Sequence, residues 1–414
     1  MRCELIAVGT ELLLGEIANT DAQVISRGLA ELGINVYHHT VVGDNPARLT
    51  QVLETAKSRS DIIITTGGLG PTADYLTKET IAACFGKKLY MDPEQQQRLH
   101  ARMSSNMTPN HEKQAMLPEG CEVLVNDWGT APGCAFYADG CHVLMLPGPP
   151  SECTPMFQYR ARPYLERMCC DGQVIRSRFL KIFGMGESAV EDKLAYLMNS
   201  LQNPTAAPYA KEGECEVRVT ARAESEQAAY AMIDPVVGEI RQVLGDVVYG
   251  VDVTSLEEVV VRGLIERGLT LATAESCTGG LLGKRLTDIS GSSACYLGGV
   301  VSYANEVKAG VLGVRGETLQ AHGAVSPETA IEMARGVRRI TGADIGISTT
   351  GVAGPGGGSP EKPVGTVYIG LCAPGIETVI KPEFRKTANR SRIRNSTASS
   401  AFDLIRRQIL RAQD

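Results

Sequence analysis

No apolar run in this 414-residue chain approaches the roughly 20 residues that a membrane-spanning helix needs. The opening Met1-Arg2-Cys3-Glu4-Leu5-Ile6 is too short and too acidic for a secretory signal. The 12 cysteines contain no Cys-x-x-Cys pair and the 6 histidines are scattered, so no zinc-site spacing is present. This usage fits reduced, mostly buried thiols in a bacterial-type cytoplasm. A basic excess is missing as well. The 41 Lys and Arg face 47 Asp and Glu, for a net charge of −6, which argues against direct contact with nucleic acid. The one local basic bias is Arg385, Lys386, Arg390, Arg392 and Arg394. It reads as a solvated face or as an anion site.

What is present is a chain too long for one core, so two or three domains are expected. In the first, strand-like runs Cys3–Val8, Val36–Val42, Asp61–Thr66 and Cys141–Leu146 alternate with helical stretches from about Asp21, over Arg48–Ala56 and from near Leu76. Such alternation predicts a parallel or mixed sheet with ligands beyond the carboxyl ends of its strands. Two strand ends run into glycine-rich loops, Gly67-Gly68-Leu69-Gly70-Pro71-Thr72-Ala73-Asp74 and Pro147-Gly148-Pro149-Pro150-Ser151-Glu152. Bare backbone there can approach a nucleotide or phosphate closely. From Ser177 the pattern predicts a small α+β unit of β-α-β-α-β order, with Pro204–Gly213 as a long loop. Its Gly184-Met185-Gly186 resembles the loop of a KH module. It lacks basic neighbours, so RNA is not expected.

The last third centres on an apolar strand, Leu269–Ala274, that breaks through Glu275-Ser276-Cys277-Thr278-Gly279-Gly280 into a helix from Leu281. Free amides at that helix start would welcome an anion or an oxyanion. A second strand, Leu297–Tyr303, leads into Ala304-Asn305-Glu306-Val307-Lys308, with Asn305 as expected N-cap. A third, Asp344–Thr349, leads into Thr350-Gly351-Val352-Ala353-Gly354-Pro355-Gly356. A serine needs a base to become a nucleophile. No histidine lies in these loops, so the available base is Lys308, if apolar neighbours Val307, Val311 and Leu312 desolvate it. Cys277 is the rival nucleophile, and Tyr303 reads more readily as core than as catalytic.

Four motifs, Ala274–Gly280, Ser302–Lys308, Gly323-Ala324-Val325-Ser326 and Thr350–Pro355, together resemble the nicotinamide-nucleotide amidase domain of the CinA (competence/damage-inducible) family. Gly9-Thr10-Glu11-Leu12-Leu13 and the two glycine loops are similar to that family's first domain, which shares its fold with molybdopterin-binding proteins. The resemblance implies residues 1–170 as a molybdopterin-binding-like domain, 171–250 as a KH-like α+β domain and 251–414 as an α/β amidase domain. It implies conversion of nicotinamide mononucleotide to nicotinic acid mononucleotide and ammonia, with no cofactor. In it Ser276 is the nucleophile, Lys308 its base and Tyr303 close by. Thr278, Gly279 and Gly280 hold the oxyanion or substrate; Asn305, Thr350, Gly351, Gly354 and Gly356 line the nucleotide site.

For the first domain the resemblance implies binding of ADP-ribose around Gly9, Glu11, Gly68, Gly70, Thr72, Asp74 and Gly148, with a divalent metal at Asp74. That motif ordinarily carries two adjacent aspartates; here Asp74 is followed by Tyr75, a poor ligand for magnesium-like ions, so hydrolysis is expected to be weak or absent. A homodimer is the family expectation.

Overall fold

The computed structural model describes residues 1–71, 76–103, 108–169, 173–211, 213–384 and 388–410. Thr72, Asp74 and Tyr75 of the first glycine loop, with Arg385 and Lys386 of the basic cluster, lie outside the described residues. The chain forms two compact units, Met1–Arg176 with Ala221–Ala231, and Ser177–Thr220 with Met232–Asp414. No helix among the described residues is long and apolar enough to cross a membrane.

The first unit contains β1 (Arg2–Val8), β2 (Asn35–Val42), β3 (Ile62–Thr66), β4 (Leu89–Met91), β5 (Met116–Pro118), β6 (Glu122–Leu124), β7 (Gly133–Ala138) and β8 (Cys141–Leu146). β4 and β5 pair with each other, and the other six form one sheet in the order β2-β1-β3-β8-β7-β6. β1, β2, β3 and β8 run parallel, and β3 is buried along its whole length, as a sheet covered on both faces requires. β7 and β6 run antiparallel, which makes the sheet mixed. The covering helices Thr20–Glu31 and Pro46–Lys57 start at Asn19 and Asn45, whose side chains accept from the Ala22 and Arg48 amides.

Parallel β1, β3 and β8 deliver Gly9, Gly67 and Gly148 to one edge. A Cβ on Gly67 would stand 2.1 Å from the Val8 carbonyl oxygen, and one on Gly148 would stand 3.1 Å from the Gly67 Cα. The loops therefore pack backbone on backbone, and Gly67, at φ +90, has no substitute.

The middle stretch has β9 (Val174–Ile182), β10 (Thr205–Lys211), β11 (Glu214–Ala223) and β12 (Val248–Val251), in the sheet order β10-β11-β9-β12. Here the expectation of a loop over Pro204–Gly213 is corrected. It holds a strand in antiparallel register with β11, from Thr205 opposite Thr220 to Lys211 opposite Glu214. The order is thus β-α-β-β-α-β. Pro208 hid the strand; a proline without an N–H is tolerated because β10 is an edge.

The last stretch holds β13 (Leu271–Glu275), β14 (Tyr296–Val301), β15 (Ile345–Gly351), β16 (Val367–Ala373) and β17 (Ile376–Ile380), ordered β14-β13-β15-β16-β17. β14, β13 and β15 are parallel; β16 runs antiparallel to β15, and β17 antiparallel to β16. One face packs Leu271, Ile345, Ile347 and Ile369 against Leu264, Leu286 and Phe402. The other packs Ala272 and Ala274 against Leu312, Met333 and Val337. With helices on both faces, the open edge at the ends of β13, β14 and β15 is where a site can form.

Candidate active site

The loops after β13, β14 and β15 are laced together at that edge. The Ser276 amide donates to the Thr349 carbonyl at 2.9 Å, and the Ser302 amide to the Glu275 carbonyl at 2.8 Å. Lys308 lies on the short helix Asn305–Gly310. Its ammonium donates to Ser276 Oγ at 3.1 Å, to the Ser302 carbonyl at 2.7 Å and to the Tyr303 carbonyl at 3.3 Å. Ser276 is 9 % and Lys308 1 % exposed. Burial disfavours the ammonium and pulls the Lys308 pKa below its ordinary value, against a smaller opposing effect of Glu306. Leu312 is buried but Val311 is exposed, so the loop carbonyls, more than an apolar helix face, enclose the amine.

This arrangement has a chemical consequence. A neutral amine has two N–H bonds and one lone pair. The carbonyls of Ser302 and Tyr303 can only accept, so they take the two N–H groups and leave the lone pair for the Ser276 hydroxyl. That is the geometry of a base poised on a nucleophile. Cys277 is 5 % exposed, and burial pushes its thiol up to about 12, so it is protonated at neutral pH.

The turn after β13 departs from its expected role. The Glu275 carboxylate, 1 % exposed, accepts from the Leu282 amide at 3.0 Å and the Gly283 amide at 2.9 Å. The start of the helix Leu281–Thr287 is thus satisfied from within and offers nothing to an outside anion. Gly279 and Leu281 donate to the Ser276 and Thr278 carbonyls. The amides of Thr278 and Gly280 have no backbone or side-chain acceptor among the described residues. They are what the turn can present to an oxyanion, with Gly279 and Gly280 at φ +60 and +91 shaping it. The Thr278 hydroxyl is fully buried against that of Thr349 at 2.7 Å and braces the two loops. Removing the Glu275 cap, as in Glu275→Ala, strands two buried amides. It should cost about 2 to 3 kcal/mol in denaturant unfolding and lower activity with it.

Other expected residues sort themselves by position. Asn305 is not an N-cap; it is the first helical residue, preceded by Ala304, and no side chain caps that end. It is exposed. The Tyr303 ring is 65 % exposed rather than core, and its hydroxyl lies 3.4 Å from Arg390. Thr350 is buried and donates to the Ala324 carbonyl at 2.6 Å, which ties two of the motifs together. Gly351 is pressed on Val367, where a Cβ would meet a methyl at 2.5 Å. Gly354 has φ +74 and Gly356 is exposed.

Two residues reach the site that the sequence left undecided. Arg390 and Arg394 lie one turn apart on the closing helix Arg390–Ile405. Arg390 donates to the Gly354 carbonyl at 2.7 Å, and Arg394 to the Thr278 carbonyl at 2.6 Å, with its Nε buried and unpartnered. Their i, i+4 spacing at a helix start puts them on one face, away from Arg392, and was the signal that could have found them.

In the first unit, Gly9, Glu11, Gly68, Gly70 and Gly148 line one cavity of about 480 Å³, together with Asp21, Gln114 and Glu152. The Glu152 carboxylate is held by Asn126 Nδ2 at 2.7 Å. Among the described residues no group of three or more His, Cys, Asp or Glu could hold a metal ion.

Fold and site define an α/β protein of more than one domain with a buried serine–lysine centre at a sheet edge. Residues 4–167 match the family "Probable molybdopterin binding domain", 177–250 the "Damage-inducible protein CinA KH domain" and 253–409 the "CinA C-terminal domain". A CinA-like protein of Dictyoglomus turgidum is 51 % identical over 413 residues, covering 99 % of this chain and 100 % of that one. A CinA-like protein of Kosmotoga olearia is 48 % identical over 413 residues, covering 99 % of each. A solved competence damage-inducible protein A from Klebsiella pneumoniae is 35 % identical, covers 39 % of this chain and 100 % of its own, and has a TM-score of 0.37. The chain belongs to the CinA family.

Proposed function

We propose that this chain is an amidohydrolase that converts nicotinamide mononucleotide to nicotinic acid mononucleotide and ammonia. The observation that carries the reading is the buried Lys308 amine at 3.1 Å from Ser276 Oγ, with its remaining positions filled by carbonyls. A pocket that only bound a nucleotide would have no use for it.

In this reading neutral Lys308 takes the Ser276 proton as Oγ attacks the carboxamide carbon. The oxyanion forms against the amides of the Cys277–Gly280 turn. Lys308 returns the proton to the nitrogen, the C–N bond breaks, and ammonia leaves an acyl ester on Ser276. Water, deprotonated by the same amine, cleaves the ester and frees the carboxylate. Arg390 and Arg394 supply positive charge at the rim for the nucleotide phosphate. The rival nucleophile is tested by Cys277→Ala, which should leave ammonia release nearly unchanged, because a thiol with its pKa raised to about 12 contributes no thiolate. A dead Cys277→Ala with an active Ser276→Ala would reverse the assignment.

For the first unit we read the glycine-edged cavity as the site of a nucleotide diphosphate of the ADP-ribose type, bound with weak or no cleavage. The backbone amides of Gly68, Leu69, Gly70 and Gly148 along its lining support binding. Tyr75 in the metal motif weighs against efficient hydrolysis.

A further inference from the structure

The face of the first sheet that packs Ile6, Val8, Leu49 and Leu117 also gathers Cys121, Val123, Cys134 and Phe136 from the sheet's edge. Val123 of β6 stands opposite Cys134 of β7 in the antiparallel ladder. Side chains alternate along a strand, so Cys121, two residues before Val123, falls on the same face and diagonal to Cys134. The two side chains meet there, and the Cys134 thiol hydrogen-bonds the Cys121 sulfur.

The two thiols differ in access. Cys134 is fully buried and Cys121 half-buried. Cys121 also precedes the ladder, at the close of a turn in which its amide donates to the Pro118 carbonyl at 3.2 Å. Bringing the sulfurs to bonding distance therefore moves a turn and not a paired strand.

Charge favours the outer thiol. Lys87 Nζ donates to the Glu119 carbonyl of that turn at 3.0 Å. The hydrogen bond from Cys134, with Lys87 adding to it, holds the Cys121 thiol below its ordinary value against partial burial. The same bond and burial push Cys134 well above it. Cys84 is the contrast. It is half-buried like Cys121, but its thiol donates to the Glu54 carboxylate at 3.0 Å, and burial with that carboxylate pushes it up to about 12.

We propose that Cys121 and Cys134 form a reversible dithiol–disulfide site, in which a peroxide oxidises Cys121 and Cys134 resolves it. The Cys121 thiolate attacks one peroxide oxygen and the O–O bond breaks. The departing hydroxide takes up a proton and leaves as water, with a sulfenic acid on Cys121. The Cys134 sulfur then attacks the Cys121 sulfur and passes its proton to the leaving hydroxyl. The S–O bond breaks, a second water leaves, and the S–S bond forms. Two thiols are oxidised, the peroxide is reduced, and a small dithiol reverses the product by exchange. The cross-link closes the segment 121–134, whose Asn126 holds Glu152 at 2.7 Å and whose Thr130 and Ala131 line the glycine-edged cavity.

Treating the full chain with hydrogen peroxide, alkylating it under denaturing conditions and mapping its peptides by mass tests the site. The unmodified chain should yield a peptide pair joined through Cys121 and Cys134, which dithiothreitol separates. The Cys121 thiol should be consumed at least about tenfold faster than that of Cys84. Cys134→Ala should stop at a sulfenic acid on Cys121 that dimedone traps, and Cys121→Ala should leave Cys134 a thiol, with thermal unfolding checking that each variant folds. Three results would each overturn the site: Cys121 consumed no faster than Cys84, Cys121 over-oxidised or joined to a second chain in place of Cys134, or the unmodified chain's product recovered from folded Cys134→Ala.

Discussion

Ser276→Ala should reduce ammonia release from nicotinamide mononucleotide by on the order of 10³-fold or more, with the fold intact. The substitution removes one oxygen from a side chain that is 9 % exposed and bonded to Lys308, so no large cavity opens. KM for the nucleotide should move little, since the phosphate and ring contacts do not pass through Oγ. In the unmodified chain, quenching during turnover should trap an acyl adduct on the peptide that carries Ser276, detectable by mass. Substantial turnover in Ser276→Ala would remove the covalent route.

Lys308 carries the second large effect, and its sign can be worked out. Its folded pKa is lowered, with desolvation as the main cause. The base is competent only when neutral, so kcat/KM should rise with pH through that lowered pKa and level off above it. Linkage runs the same way. The unfolded chain keeps the ordinary lysine pKa and binds the proton more readily over that window, so stability also rises with pH between the lowered and the ordinary value. Lys308→Arg should lose on the order of 10²- to 10⁴-fold, because a guanidinium does not deprotonate and is too large for the space between Ser302 and Ser276. Lys308→Met keeps the bulk and removes the base; it should be as inactive but better folded. Full activity in Lys308→Arg would reduce the residue to a phosphate contact.

How far the sequence foretold this can be judged from particular residues. β1, β3, β8, β13 and β15 were legible because they are short apolar runs buried on both faces and bounded by glycine or small polar residues. The helix expected over Arg48–Ala56 was legible too and is found as Pro46–Lys57. β10 was not, because Ala206, Ala207 and Pro208 carry no alternation and the strand pairs on one side only. β6 and β7 were missed for a related reason: the order of a mixed sheet is settled by pairing across distance, which no local pattern records.

At the site, motif order placed Ser276 and Lys308 on neighbouring loops, but their contact needed β13 and β14 to be parallel neighbours. The near-complete burial of Lys308 was invisible locally, since its own helix has only six residues and an exposed Val311. The Glu275 cap was hidden too. A carboxylate at the end of a buried strand reads as a loop residue until the chain folds back to place the Leu282 and Gly283 amides against it. Arg394 reaches the Thr278 carbonyl from 116 residues away and Arg390 the Gly354 carbonyl from 36, distances that only the tertiary fold closes.

The most direct test is an ammonia-release assay on the purified full-length chain, supplied with nicotinamide mononucleotide and no added metal, over a range of pH. The Ser276–Lys308 account predicts stoichiometric ammonia and nicotinic acid mononucleotide, turnover that rises with pH, and indifference to chelator. No ammonia from the unmodified chain, or ammonia that persists undiminished in Ser276→Ala, would contradict it.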